Sequence, residues 1–232
     1  MLTQDQIKNK LGKYAADLVP PGATIGMGTG STIFWLIEEL KQRVKVGFEI
    51  SVVPTSRNTS KLASEAGIRT FELNDVGSLP LTIDGADEVD PGFQLIKGGG
   101  GALLQEKMVA AASNQLIILA DESKLVRQLG KFPLPVEVIP FGWRQVQRKI
   151  MDLGCIKAEI RLADGEPFVT DHGHFILDCQ FGQIADAGGL NVSLHLIPGV
   201  VETGLFINMA SETIMGYADG RIERKSANAK LL

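Results

Sequence analysis

The stretch Ala23-Thr-Ile-Gly-Met-Gly-Thr-Gly-Ser-Thr32 decides how this chain is read. A short apolar strand runs into a glycine-rich turn, and a helix over 33–43 follows. That order aims free backbone N–H groups and the positive helix end at an anion. Ser31 and Thr32 can cap the helix and offer hydroxyls to phosphate oxygens. The turn departs from G-x-G-x-x-G: Gly26 and Gly28 fit, but Ser31 takes the third position. A dinucleotide site also needs an acid for the ribose diol at the end of the next strand, 48–55. Pro54-Thr55-Ser56-Arg57 stands there instead. A compact phosphate monoester suits this loop better than NAD, and Arg57 keeps an NADP reading open.

Working outward, residues 3–18 read as a helix, with Thr3 and Gln6 as a capping box, closed by Pro20-Pro21-Gly22. A helix over 57–66 and a strand over 68–73 follow the Thr55 turn, with Gly67 between them. Then come a strand over 81–84, a helix over 102–113 and a strand over 115–121 that leads to Lys124. Strands alternating with helices predict a doubly wound, mostly parallel, Rossmann-like α/β sheet. Ligands of such sheets sit beyond the carboxyl ends of the strands. Residues 29–32, residues 84–87 and Lys124 all fall there.

The densest polar stretch is residues 84–107, DGADEVDPGFQLIKGGGGALLQEK. Two carboxylates flank Gly85-Ala86, then Lys97 leads four glycines, 98–101, and Glu106 follows on a helical pattern, in its second turn. Consecutive glycines are costly in conformational entropy and are kept where backbone must approach something closely. The stretch reads as a site for a small anionic or polyhydroxylated ligand.

From Lys131 the texture changes. After the stiff Lys131-Phe-Pro-Leu-Pro135, a strand over 136–139, a helix over 142–153 and a strand over 157–163 are expected. A turn at Asp164-Gly165, a strand pair across Asp171-His172-Gly173, a helix near 187–197 and a strand near 200–207 complete the order. This β-α-β-β-α-β sequence predicts a smaller, ferredoxin-like α+β domain over 131–206, with 1–130 and 207–232 forming the larger one. Asp219-Gly220 signals a closing hairpin.

Composition narrows the function. A net charge of −4 argues against nucleic acid as a partner. No stretch has the length of a signal core or a membrane span. The two cysteines, Cys155 and Cys179, are in no metal or redox spacing and read as core residues in a reducing, cytoplasmic setting. Three histidines assemble no zinc site. No metal and no organic cofactor is expected. Lys8 reads by default as a solvated lysine.

Gly28-Thr-Gly-Ser-Thr32, Asp84-Gly-Ala-Asp87, Lys97-Gly-Gly-Gly100 with Glu106, the run from Gly130 to Pro140 and Ile197-Pro-Gly-Val-Val-Glu-Thr-Gly-Leu-Phe206 together resemble ribose-5-phosphate isomerase, type A, over essentially the whole chain. The resemblance implies interconversion of ribose 5-phosphate and ribulose 5-phosphate without metal or organic cofactor, by a homodimer or homotetramer. It implies that Thr29, Gly30, Ser31 and Thr32 hold substrate, as do Asp84, Gly85, Ala86, Asp87, Lys97, Gly98, Gly99, Gly100 and Lys124. Glu106 is then the proton acceptor, and Gly101 stands where some members carry alanine.

The chemistry fits these residues. Moving a proton between adjacent carbons needs one base and a stabilised oxyanion. Glu106 can be that base, and Lys97 with the N–H groups of residues 98–100 can serve the oxyanion. Asp84 and Asp87 suit hydroxyl groups, and one of them can assist ring opening. Two other classes compete: a sugar-phosphate-sensing domain of a transcription regulator, for which no basic helix-turn-helix is present, and an NADP-dependent reductase.

Overall fold

In the computed structural model, which describes residues 1–227, Thr3 opens the first helix α1 (Gln4–Ala16) with the expected capping box. The Gln6 amide donates to Thr3 Oγ1 at 3.3 Å and Thr3 N–H donates to Gln6 Oε1 at 2.8 Å. The parallel series then runs β1 (Thr24–Met27), α2 (Ser31–Lys45), β2 (Ser51–Pro54), α3 (Arg57–Glu65), β3 (Arg69–Thr70) and β4 (Thr82–Gly85). A short hairpin, β5 (Glu88–Val89) and β6 (Leu95–Ile96), precedes α4 (Leu103–Ala111) and β7 (Leu116–Asp121). The order continues with β8 (Leu134–Val138), α5 (Trp143–Asp152), β9 (Lys157–Ile160), β10 (Leu162–Ala163), β11 (Glu166–Pro167), β12 (Phe175–Gln180) and α6 (Ala187–His195). Strands β13 (Val200–Thr203), β14 (Leu205–Phe206), β15 (Glu212–Gly216) and β16 (Ile222–Ser226) complete it.

The chain groups into two compact units: unit 1 holds 1–86, 105–124 and the described residues from 209 on, and unit 2 holds 87–104 and 125–208. The sequence assigns 87–104, 125–130 and 207–208 to the larger domain. Contacts place them otherwise because Ile96 and Leu129 are buried in the apolar core of unit 2, and β6 pairs with β14. Positions 228–232 of the expected larger domain lie outside the described residues.

Unit 1 is built on a seven-stranded sheet in the order β16-β15-β7-β4-β1-β2-β3, parallel except for the β15–β16 hairpin. That hairpin turns at Gly220, φ 89°, as Asp219-Gly220 predicts. Its core gathers Leu11, Ile25, Leu36, Ile37, Leu40, Ile83 and Ile214. Burying side chains of this size contributes about 1.5–3 kcal/mol each, which is what drives the amphipathic helices onto the sheet. The strand order reverses between β1 and β4, the topological switch point where doubly wound sheets hold ligands.

Unit 2 carries an antiparallel sheet in the order β13-β8-β12-β9 together with α5 and α6, the anticipated β-α-β-β-α-β module. One local expectation changes. Asp164 (φ 52°) and Gly165 (φ 87°) turn the small β10–β11 hairpin, but β12, beyond the Asp171-His172-Gly173 turn, pairs with β8 and β9. It buries Ile176, Leu177 and Cys179 there, which a two-stranded ribbon could not do. Cys155 and Cys179 are free and buried.

Candidate active site

In unit 1 the phosphate-type turn follows β1. Gly30, φ 119°, is the N-cap of α2, so Ser31 is already the first helical residue and not a cap. No side chain caps this end and no acid lies in its first turn. The backbone donors and the positive pole of α2 therefore have no negative side chain of their own helix to satisfy them. Ser31 is exposed and Thr32 half-buried.

Thr29 looks inward. Its hydroxyl lies 2.8 Å from Thr55 Oγ1 and 3.1 Å from Thr59 Oγ1, and donates to Ser56 Oγ at 2.9 Å. Ser56 Oγ donates to Thr59 Oγ1 at 3.1 Å, and Thr59 Oγ1 donates to the Gly28 carbonyl at 2.8 Å. One direction of donation satisfies the whole cluster: Thr55 to Thr29, Thr29 to Ser56, Ser56 to Thr59, Thr59 to Gly28. Thr55, Ser56 and Thr59 are buried, so each hydroxyl needs a partner, and together they pin the turn after β1. These residues stand where a dinucleotide site would place its acid. The missing acid at 54–57 is legible in the sequence, and the hydroxyls of Thr55, Ser56 and Thr59 were the further signal.

Asp84, on β4 beside β1, is fully buried. Its Oδ1 accepts from Thr29 N–H at 3.1 Å and from Gly85 N–H at 2.7 Å. The carboxylate fits only because Gly28 has no side chain: a Cβ there would overlap it. Glu106 is also buried, at 4% exposure, and lies in the first turn of α4, one turn earlier than the sequence suggests, because the helix begins at Leu103. Buried carboxylates are costly and concentrate at functional sites. Asp121 closes β7, accepts from Ser123 N–H at 2.9 Å and from the Ser123 hydroxyl, and so shapes the 3₁₀ turn Glu122–Lys124 that carries Lys124. Gly85 and Ala86 are half-buried at the end of β4. Unit 1 thus contains Thr29, Gly30, Ser31, Thr32, Asp84, Gly85, Ala86, Glu106 and Lys124 of the expected set.

Unit 2 contains Asp87, Lys97, Gly98, Gly99 and Gly100. Lys97 directly follows β6, its N–H donates to the Gly204 carbonyl at 2.9 Å, and its ammonium lies 5.3 Å from the centre of the Phe206 ring. Only 2% of Lys97 is exposed. Gly98 begins a tight turn, with Gly101 N–H donating to its carbonyl at 3.0 Å. Gly99 N–H donates to Asp87 Oδ2 at 2.7 Å. That N–H, expected among the oxyanion donors, is therefore engaged by a carboxylate. The β5–β6 hairpin that places Lys97 went unread in the sequence; Asp90-Pro91-Gly92 was its signal, and Asp90 Oδ1 accepts from the N–H groups of Gly92 and Gln94.

In unit 1, a doubly wound sheet with an open helix N-terminus at its switch point and buried carboxylates nearby in the sequence is the class of fold that holds small anionic ligands. Comparison with known proteins narrows this. Residues 51–220 match the family model for ribose 5-phosphate isomerase A (phosphoriboisomerase A). Ribose-5-phosphate isomerase A of Bacillus cereus is 55% identical over 215 residues, 92% of this chain and 97% of that protein. A solved D-ribose-5-phosphate isomerase in complex with phospho-erythronic acid superposes with TM-score 0.93 at 36% identity, covering 97% of this chain and all (100%) of that one. The structure of ribose 5-phosphate isomerase A from Methanocaldococcus jannaschii gives 0.91 at 40% identity, covering 97% and 100%. The chain belongs to the ribose 5-phosphate isomerase A family, a family of isomerases. Among the described residues, no helix is long and apolar enough to cross a membrane.

Proposed function

We propose that this protein interconverts ribose 5-phosphate and ribulose 5-phosphate through an enediolate, with Glu106 as the general base. The observation that carries the reading is the burial of Glu106 on the first turn of α4, directly after the glycine run. Exposed glutamates on helices are common; one held away from water calls for a chemical reason. Phosphate sits at the open N-terminus of α2, against Gly30, Ser31 and Thr32, with Lys124 as a further cation. Asp84 and Asp87 take sugar hydroxyls. After ring opening, Glu106 removes the C2 proton of the aldose and returns it to C1, while Lys97 and backbone N–H groups stabilise the oxyanion. The reaction calls on no metal or organic cofactor, and the setting is the cytoplasm.

Glu106→Gln tests this, because it keeps size and hydrogen bonding and removes the proton acceptor. We expect kcat to fall by at least about a hundredfold, the lower end for general-base catalysis, with KM little changed. An active Glu106→Gln beside inactive Asp84→Asn or Asp87→Asn would move the base to an aspartate.

A further inference from the structure

Arg161, absent from the expected site residues, joins a carboxylate to two loop carbonyls within unit 2. Its Nη1 donates to the carbonyl of Gly98 at 2.8 Å and of Gly99 at 3.1 Å. Nε and Nη2 of the same guanidinium donate to the two oxygens of Asp178, Nε at 3.0 Å. The Arg161 side chain is 14% exposed. The planar fork of arginine suits this double duty, since one edge can hold a carboxylate while the remaining N–H groups reach backbone oxygens.

A trans peptide points its C=O and N–H in opposite directions. Drawing the Gly98 carbonyl onto Arg161 therefore sets the Gly99 N–H, the group that donates to Asp87 Oδ2 at 2.7 Å. Drawing the Gly99 carbonyl there sets the Gly100 N–H in the same way. The Gly98 carbonyl also accepts from Gly101 N–H, so both of its lone pairs are used. The backbone of Arg161 joins in, because its carbonyl accepts from Phe168 N–H at 2.8 Å, and the Phe168 ring fills the space a side chain at Gly101 would need.

We infer that Arg161, held in place by Asp178, is a positioning residue for the reaction: it fixes the Gly98–Gly99–Gly100 peptides and, through the Gly99 N–H, the carboxylate of Asp87. The inference rests on the reading that Asp87 and the Lys97 glycine loop contact substrate. Without the guanidinium the two carbonyls lose the donor they share, and glycine peptides have the freedom to rotate. The loop then keeps its residues and loses its aim.

Variants of Arg161, Asp178 and Lys97, with one inhibitor, test this. Arg161→Lys keeps the charge and loses the fork. Misplacing a reacting group by an ångström costs up to about a hundredfold, so kcat should fall roughly tenfold to a hundredfold. The inhibition constant of inorganic phosphate should stay within about twofold, because phosphate binds at α2. Asp178→Asn should show the same split at smaller size. If Arg161→Lys does not fold, Arg161→Gln with methylguanidinium added at non-denaturing concentration replaces it, and partial recovery of kcat is expected. Recovery of that kind comes from refilling the guanidinium site, which a merely structural role would not predict. Lys97→Met runs alongside. A crippled Lys97→Met beside an Arg161→Lys with wild-type kcat and KM overturns the inference and leaves the loop reading intact. A normal Lys97→Met overturns the loop reading, and the inference falls with it. Parallel loss of kcat, phosphate affinity and melting temperature in Arg161→Lys also overturns it, in favour of general support of the fold.

Discussion

Asp84 and Asp87 belong to one four-residue motif and both accept from backbone N–H groups, yet the backbone that donates is fixed differently in each unit. In unit 1, Asp84 lies near the end of a central parallel strand and accepts from the Thr29 N–H, while the Thr29 hydroxyl is held by those of Thr55, Ser56 and Thr59. In unit 2, Asp87 accepts from a turning glycine backbone whose carbonyls are gathered by the charged pair Arg161–Asp178. The first arrangement depends on close packing, so it is sensitive to added volume. The second depends on a cation with fixed geometry, so it is sensitive to changes in that cation. Conformational freedom is removed in both, by a sheet in one and by an ion in the other.

Two glycines expose the contrast. At Gly28 a Cβ would overlap the Asp84 carboxylate, and the backbone on either side belongs to the sheet and the hydroxyl cluster, so nothing can yield cheaply. Gly28→Ala should reduce kcat/KM by at least about a hundredfold through displacement of the carboxylate, measured by steady-state kinetics on a variant shown to be folded by circular dichroism. Activity within threefold of wild type would break the packing half of the comparison. Thr59→Val keeps shape and removes the hydroxyl that holds the Gly28 carbonyl. It should cost about tenfold in kcat/KM plus about 1–3 kcal/mol of stability for the polar groups left unsatisfied, and Thr59→Ser should restore most of both. A fully active Thr59→Val would mean that the cluster is ordinary core.

Gly101 behaves differently. Its φ is +82°, and a Cβ would meet the tip of the Phe168 ring, which is the far end of a side chain able to swing. Gly101→Ala should lower stability by about 1–3 kcal/mol from left-handed strain, seen in denaturant melts, and leave kcat within about threefold. A loss of kcat without loss of stability would show the loop to be less tolerant than the comparison holds. The smallest effect belongs to the exposed phosphate end. Ser31→Ala should raise KM about threefold with kcat nearly unchanged, since a remote hydroxyl binds ground and transition states alike. An unchanged KM would mean that the open end of α2 takes another group.

Much of unit 1 was legible because its elements announce themselves locally. Thr3 and Gln6 cap α1, glycines punctuate β1 and α2, and apolar strands alternate with helices, so the parallel sheet and its ligand edge follow from period and turn chemistry. The proposed site residues Ser31, Thr32, Asp84 and Glu106 stand near strand ends or in the first turns of helices. Unit 2 was legible as a β-α-β-β-α-β order and illegible at its boundaries. Strands β5, β6 and β14 are two residues each, too short to show a period, and β14 exists only through pairing across the chain with β6. Arg161 lies 63 residues from Gly98, and at such a separation an arginine beside a strand reads as an ordinary solvated charge. Thr59 was hidden for a related reason: a threonine in the first turn of a helix looks like surface until the turn after β1 is seen to rest on it.

The proton itself offers the most direct test of the central claim. Ribose 5-phosphate should be carried to equilibrium in D2O by the wild-type enzyme, and both sugars examined by NMR. One carboxylate serving two adjacent carbons exchanges its proton with solvent at least in part. Deuterium is therefore predicted at C2 of the aldose or C1 of the ketose, with its appearance slowed in Glu106→Gln in step with kcat. Complete retention of hydrogen at both carbons through many turnovers would mean a direct hydride shift, and would contradict both the enediolate and Glu106 as its base.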